Sequence, residues 1–291
     1  MTMPKQVAII GFGEAGGAFA AGWGANRPAV IAAYDRKTDA PASRAVMEAR
    51  YGQHGVTGAG TAAVAVAGAA AVFSTVTADQ APVAAREAAA GLAPGTLWFD
   101  CNSCAPDTKR AAAAVIDTTG GRYVDVAVMA PVHPKRHLVP LLVSGPHAEA
   151  GAAVLRALGM RPEVVPGSVG AASSIKMIRS VMIKGMEALM AECLLSARRA
   201  GVEEAVLASL EASDPDIRWR DRGTYALDRM MMHGGRRAAE MREVAKTVAA
   251  LGLSDAMSAG SAHWQDTVAR AGCTPGEPDL MQRLDRLLDA L

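Results

Sequence analysis

The sequence predicts an α/β domain built on a doubly wound parallel sheet, followed by an all-α domain, with the division at residues 1–169 and 170–291. Three observations carry that expectation. Short β-rich apolar runs alternate with Ala-rich helical stretches through the first half, a glycine turn stands directly after the first run, and beyond Gly170 the β signal stops. The runs are residues 6–11, 30–35, 71–75, 97–100, 123–128 and 141–144. Strands separated by helices imply parallel pairing through right-handed crossovers.

Beyond Gly170 every long segment reads as helix. The stretch 171–200 is unusually long for a globular helix, with Ile175, Met182, Met186, Leu189, Cys193 and Ala197 at helical spacing. Such a helix can carry the chain from one domain into the next. Further helices are expected at 203–211, 222–232, 236–251, 255–271 and 280–291. The Met230-Met231-Met232 run fits core or a subunit interface better than a ligand contact.

Composition bounds the function. Of 291 residues 51% are hydrophobic and 20% charged, and 30 Lys+Arg balance 29 Asp+Glu to a net charge of +1. A chain this neutral, with no long basic run, lacks the phosphate-neutralising charge that nucleic acids and anionic membranes demand, so neither is an expected partner. The most apolar window, residues 60–76, is mainly Ala, Gly and Thr and reads as a helix and a buried strand rather than a membrane span. The opening MTMPKQVAIIGFG carries no signal-peptide pattern, which predicts a cytoplasmic protein. The four cysteines are too scattered for a disulfide framework, although Cys101 and Cys104 have redox-pair spacing. His133-Pro134-Lys135-Arg136-His137 has no accompanying carboxylate or cysteine cluster, so no metal site is expected there.

The strongest local signal is Gly11-Phe12-Gly13-Glu14-Ala15-Gly16, between the run Val7-Ala8-Ile9-Ile10 and a helical stretch starting near Ala15. This is a dinucleotide fingerprint in its proper setting, and it makes the first domain Rossmann-type. Gly11 permits the tight turn, Gly13 lets a pyrophosphate approach the backbone, and Gly16 lets the helix pack close to the strand. The phosphates would meet a helix N-terminus, where free N–H groups and the dipole favour anions. Asp35, 19 residues after Gly16 at the end of the second run, is placed to bind the adenine ribose hydroxyls. Its charge repels a 2′-phosphate and favours NAD, whereas Arg36 and Lys37 favour NADP. The balance inclines slightly to NAD. Thr75, Val76 and Thr77, at the end of the third run, are also assigned to the cofactor.

Three later segments matter beside that turn: Asp100-Cys101-Asn102-Ser103-Cys104-Ala105-Pro106, Val124-Asp125-Val126-Ala127-Val128-Met129-Ala130-Pro131, and Gly170 to Ser180 with Lys176 within it. In order, the four resemble the β-hydroxyacid dehydrogenase superfamily, which includes 3-hydroxyisobutyrate and 6-phosphogluconate dehydrogenases. The later three are similar to its Asp-x-Ser-Thr-x-x-Pro segment, its substrate motif Asp-Ala-Pro-Val-Ser-Gly-Gly and its catalytic Gly-x-x-x-x-x-Lys-x-x-x-Asn helix. Met129 stands at the family's substrate-binding Ser, Ala130 and Pro131 at its glycines, and Ser180 at its Asn. Together with MAPVHPKRH and HGGRRAAEM, these departures resemble a 6-phosphogluconate-dehydrogenase-like branch with a distinct C-terminal domain.

The resemblance implies hydride transfer between nicotinamide and a small polar hydroxy acid or a related alcohol or carbonyl compound, with Lys176 as general acid/base. Burial and a nearby cation depress an amine's pKa from about 10.4, the direction that acid/base work near neutral pH needs. At roughly 100° per residue, Ser180, Lys184 and Glu187 lie roughly 40°, 80° and 20° round the helix from Lys176. Such a polar arc is ordinarily a solvent face. Asn102 and Ser103 follow a strand, where ligands bind in such sheets, and Ser103 or Cys104 also suits the N-cap of a helix starting at Pro106. Met129, His133, Ser180, Lys184 and Arg236 complete the expected substrate contacts. His233 and Arg237 beside Arg236 suit a carboxylate or the cofactor. Two other readings share the cofactor: an oxidative decarboxylase of 6-phosphogluconate type, and a nucleotide-binding redox sensor without catalysis. The resemblance also implies a homodimer formed through the helical domain.

Overall fold

The structure, a computed structural model, describes residues 3–291. The chain divides into two compact units after Met177. Among the described residues no helix is long and apolar enough to cross a membrane.

The first unit runs β1 (Gln6–Ile10), α1 (Glu14–Gly22), β2 (Val30–Tyr34), α2 (Pro41–Gln53), β3 (Thr57–Gly58), α3 (Ala62–Val66), β4 (Ala71–Ser74), α4 (Ala81–Ala89), β5 (Leu97–Asp100), α5 (Pro106–Asp117), β6 (Arg122–Val128), β7 (Pro140–Ser144), α6 (Ala148–Ala157) and β8 (Arg161–Val164). These strands form one sheet in the order β3-β2-β1-β4-β5-β6-β7-β8. The order reverses between β1 and β4, which is the switch point where such sheets bind ligands beyond their carboxyl ends.

Both faces of the sheet are covered at its centre, so β1, β4 and β5 are buried almost end to end rather than alternating with exposed polar residues. In β1, Val7 and Ile9 join one core with Phe19, Trp23, Phe73 and Phe99, while Ala8 and Ile10 join the other with Val72, Trp98 and Tyr123. Each fully buried Ile or Phe stabilises by about 1.5–3 kcal/mol. The second core is rich in alanine, from Ala62 and Ala65 on α3 to Ala84, Ala85 and Ala88 on α4, and small side chains let these helices pack close.

The expectation of uniformly parallel pairing is corrected at one strand. β1 to β6 pair in parallel, but β7 runs antiparallel to β6 in the register Asp125↔Ser144. Only Met129 to Val139 separates the two strands, and a parallel return needs a longer crossover. Two edge strands carry no sequence signal. β3 is two residues long, and β8 reads Arg-Pro-Glu-Val, the composition of a protected edge.

Helix α7 (Ala171–Ala200) begins in the first unit and continues into the second. There follow α8 (Glu203–Ser213), α9 (Trp219–Ala250), α10 (Ala256–Arg270) and α11 (Leu280–Ala290). The expected helices 222–232 and 236–251 are one helix, α9, unbroken through His233-Gly234-Gly235. Gly234 serves packing rather than termination: a Cβ on it would lie 2.6 Å from the Gln265 carbonyl oxygen of α10. The core of this unit gathers Ala191, Leu194, Leu207, Leu227, Met230 and Val268 around Leu280, Leu284 and Leu287 of α11. Met230 therefore belongs to the core, whereas Met232 is exposed.

α11 is anchored by Leu284, which is fully buried. The substitution Leu284→Ala is expected to cost about 2–5 kcal/mol, read as a lower midpoint of urea unfolding. An unchanged midpoint would place α11 outside the cooperative core.

Candidate functional site

The turn after β1 is assembled from three strand ends, those of β1, β2 and β4. Gly11 adopts φ +84°, and a Cβ there would meet Val76 Cγ1 at 2.7 Å and Val76 N at 2.8 Å. The Thr75 hydroxyl donates to the Gly11 carbonyl at 2.5 Å. A Cβ on Gly16 would lie 2.8 Å from that same carbonyl oxygen, whereas the space around Gly13 is open. Gly13 is the N-cap of α1 and supplies no capping side chain, so the first-turn N–H groups from Glu14 onward face an open space suited to an anion. These are the features a pyrophosphate needs, and the residues present fit a dinucleotide.

Asp35 closes the turn from the second strand. Its carboxylate accepts from Phe12 N at 2.9 Å and from Lys37 N at 3.0 Å, and its own N–H donates to the Tyr51 hydroxyl at 2.9 Å. Two carboxylate oxygens have about four acceptor positions, so capacity for ribose hydroxyls remains. Arg36 donates to Gln80 Oε1, and Arg50 donates to the carbonyls of Phe12 at 2.9 Å and Gly13 at 2.8 Å. Thr77 is exposed beyond the end of β4.

A second cluster follows β5. Asp100 and Asp125 sit side by side on adjacent parallel strands. The ammonium of Lys109, fully buried on α5, is 2.9 Å from Asp100 Oδ1 and 3.4 Å from Asp125 Oδ1. Burial lowers an ammonium's pKa, but the two carboxylates outweigh it and hold Lys109 above the ordinary lysine value. Tyr123 donates to Asp100 Oδ2 at 2.6 Å, and burial reinforced by both carboxylates pushes its hydroxyl well above the usual range. Asp100 also accepts from Asn102 N at 3.0 Å and Nδ2 at 2.7 Å, which sets the turn that carries Ser103. Asn102 Nδ2 also donates to Ser74 Oγ at 2.9 Å. Ser103 does not cap α5, whose N-cap is Ala105. Its hydroxyl instead accepts from Lys176 Nζ at 2.6 Å.

The sequence-derived residues thus fall into three groups. Gly11 to Gly16, Asp35, Arg36, Thr75 and Val76 gather at the glycine turn, and Asn102, Ser103 and Lys176 form the second cluster. Gly11, Thr75, Asn102 with Ser103, and half-buried Met129 follow the carboxyl ends of β1, β4, β5 and β6, along one edge of the sheet. His133 is exposed on the loop between β6 and β7 and is drawn into neither group. The third group belongs to the second unit. Lys184 Nζ donates to Ser180 Oγ at 3.2 Å and pairs with Glu240 Oε2 at 3.0 Å, while exposed Arg236 pairs with Glu240 Oε1 at 2.8 Å. Glu187 accepts from Arg237 and, at 3.1 Å, from Gln265. Ser180, Lys184 and Glu187 are 5%, 6% and 6% exposed, so this arc is an internal polar seam rather than a solvent face.

Sequence reasoning missed Lys109, Arg50 and Glu240. Lys109 stands in Pro-Asp-Thr-Lys-Arg, which reads as the charged first turn of a surface helix, and no local pattern distinguishes it from its exposed neighbour Arg110.

The profile of the NAD binding domain of 6-phosphogluconate dehydrogenase matches residues 6–161, and that of a domain of unknown function, DUF1932, matches residues 197–268. A conserved hypothetical protein from Sinorhizobium meliloti 1021 shares 40% identity over 100% of this chain and 97% of its own, with a TM-score of 0.74. The conserved protein MTH1747, of unknown function and described as structurally similar to 3-hydroxyacid dehydrogenases, shares 30% identity over 92% of this chain and all of its own, at a TM-score of 0.67. The fold is also that of 3-hydroxyisobutyrate dehydrogenase from Mycobacterium tuberculosis, at 18% identity, 99% coverage of both chains and a TM-score of 0.70. An uncharacterised 28.5 kDa protein of Methanothermus fervidus is 27% identical over 161 residues, a match spanning 55% of this chain and 61% of that protein. The fold and the glycine turn define a dinucleotide-binding protein. The chain belongs to the family that carries the NAD-binding domain of 6-phosphogluconate dehydrogenase, in a form with a distinct helical C-terminal domain.

The Cys101-x-x-Cys104 spacing does not produce a reactive thiolate. Cys101 is buried, and burial, only partly opposed by Lys109, pushes its thiol up to about 12. Iodoacetamide at mildly alkaline pH is therefore expected to label exposed Cys193 and to leave Cys101 unmodified in the folded chain, as mapped by peptide mass spectrometry.

Proposed function

We propose that this protein is an NAD(P)-dependent dehydrogenase or reductase of small polar hydroxy acids or related alcohol and carbonyl compounds, with Lys176 as its general acid/base. The observation that carries the reading is the Lys176–Ser103 hydrogen bond of 2.6 Å, in the same unit as the glycine turn. Ser103 follows β5, and one strand, β4, separates β5 from β1 and its turn. Ligands of doubly wound sheets bind along that edge.

Hydroxy-acid oxidation removes a hydride from carbon and a proton from oxygen. The bound nicotinamide supplies the hydride chemistry. In the oxidative direction the neutral amine of Lys176 accepts the hydroxyl proton; in the reductive direction its ammonium returns it to the carbonyl oxygen. Ser103 orients that amine, and Asn102 and Met129 follow the carboxyl ends of β5 and β6 along the same edge. The carboxylate of Asp35, presented at the end of β2 beside the glycine turn, supports a slight preference for NAD over NADP. Exposed apolar side chains on the second unit, Met182, Leu189, Tyr225 and Met232, support self-association as a homodimer.

The testing experiment is a nicotinamide-absorbance screen over hydroxy acids, polyols and their carbonyl forms with both nucleotides. Removing the amine by Lys176→Ala is expected to lower kcat by about 10²–10⁴-fold with nucleotide affinity unchanged. Near-normal turnover in that variant would remove Lys176 from the chemistry. Nucleotide binding with no hydride transfer to any compound of the panel would leave a binding scaffold instead. Light scattering at micromolar concentration is expected to give the mass of two chains, and a monomer mass would refute the dimer.

A further inference from the structure

We infer that Lys109 is the positioning residue of the Lys176 site, one buried ammonium that sets both partners of the Lys176–Ser103 hydrogen bond; the inference rests on the reading of Lys176 as acid/base. Lys109 itself is sealed from any ligand, at 0% exposure, so it acts through other groups.

One arm runs through Asp100. Lys109 Nζ donates to the Asp100 carbonyl at 2.6 Å and to its Oδ1 at 2.9 Å. The same Oδ1 accepts the backbone N–H and the side-chain amide of Asn102, and Tyr123 holds the other oxygen. This fixes the backbone that presents Ser103. The other arm runs through Asp125. Its Oδ2 accepts from Gly170 N at 3.1 Å, Ser173 N at 3.0 Å and Ser144 Oγ at 3.1 Å, and its Oδ1 accepts from Ser173 Oγ at 2.6 Å. Ser144 Oγ in turn accepts from Ala172 N at 3.0 Å. These bonds seat the first turn of α7, and Lys176 lies less than one turn beyond Ser173.

The two arms meet because Asp100 and Asp125 are register partners on adjacent strands. Without the ammonium, two buried carboxylates would stand side by side and repel, and each is the anchor of one half of the site. Lys109 thus couples the height of the serine turn to the seating of the helix. A loss at any point of this frame moves the Lys176 amine relative to Ser103 without touching the pocket itself.

Trace acetylation of the full-length chain across a pH range, with each lysine quantified by peptide mass spectrometry, tests this without nucleotide or substrate. Exposed Lys5 and Lys135 serve as reference amines. Lys109→Met and Asp125→Asn are expected to change the labelling rate of Lys176 at least threefold relative to the references and to displace its rate-against-pH midpoint. Ser173→Ala, which leaves all three charges in place, is expected to change it in the same direction by a smaller factor. Should Lys109→Met fail to give a cooperative melt, Asp125→Asn and Ser173→Ala decide the matter. An unchanged rate and midpoint for Lys176 in folded Lys109→Met, or in both folded Asp125→Asn and folded Ser173→Ala, would overturn the inference. That outcome is separable from failure of the acid/base assignment, which is read from turnover of Lys176→Ala alone.

Discussion

Three charges buried together inside the first unit constrain everything built around them. Asp100, Asp125 and Lys109 are each at or near complete burial. Desolvating an isolated carboxylate or ammonium costs several kcal/mol, and removing one partner of a buried pair costs about 3–5 kcal/mol, so the triad is viable only as a complete set. Completeness is what the structure shows, because the carboxylates spend their remaining acceptor positions on Tyr123, Asn102, Ser144, Ser173 and the backbone of Gly170. Strand register, the turn after β5 and the start of α7 are bound into one polar unit surrounded by apolar core.

The glycine turn is a second construction of the same kind, made mostly of backbone. Gly11 can adopt its positive φ and lie against Val76 only without a side chain. Thr75 and Arg50 then donate to the carbonyls of Gly11, Phe12 and Gly13, while the N–H groups of Gly11 and Phe12 go to the Tyr34 carbonyl and the Asp35 carboxylate. What remains open is the space at Gly13 and the N-terminus of α1. The protein holds the turn through these bonds and leaves the space at Gly13 and the start of α1 to an anion, as a preorganised phosphate site requires.

The helical unit follows a different logic. Its apolar core, from Ala191 to Leu287, lies beside a seam of charges on α7 and α9 in which Lys184 and Arg236 share Glu240, and Arg237 and Gln265 share Glu187. Residues that in sequence resemble a substrate clamp are thus bound to one another. Their pairing ties α7, α9 and α10 together through buried polar groups, although Arg237 Nε and Gln265 Oε1 are left without a hydrogen-bond partner among the described residues.

Much of the fold was legible in the chain itself, because period and punctuation are local properties. The run Val7 to Ile10, the glycine turn after it, the carboxylate of Asp35 and the thirty residues of α7 announce a dinucleotide-binding domain followed by helices. The segment holding Lys176 was legible by resemblance. What the chain could not declare is anything set by neighbours distant in sequence. The reversal of β7 and the continuity of α9 through Gly234 depend on which partner lies alongside. The burial of Lys109, next to exposed Arg110, depends on two aspartates brought into register by separate strands. Charge and spacing are written in sequence, but desolvation and pairing exist only after the chain has closed on itself.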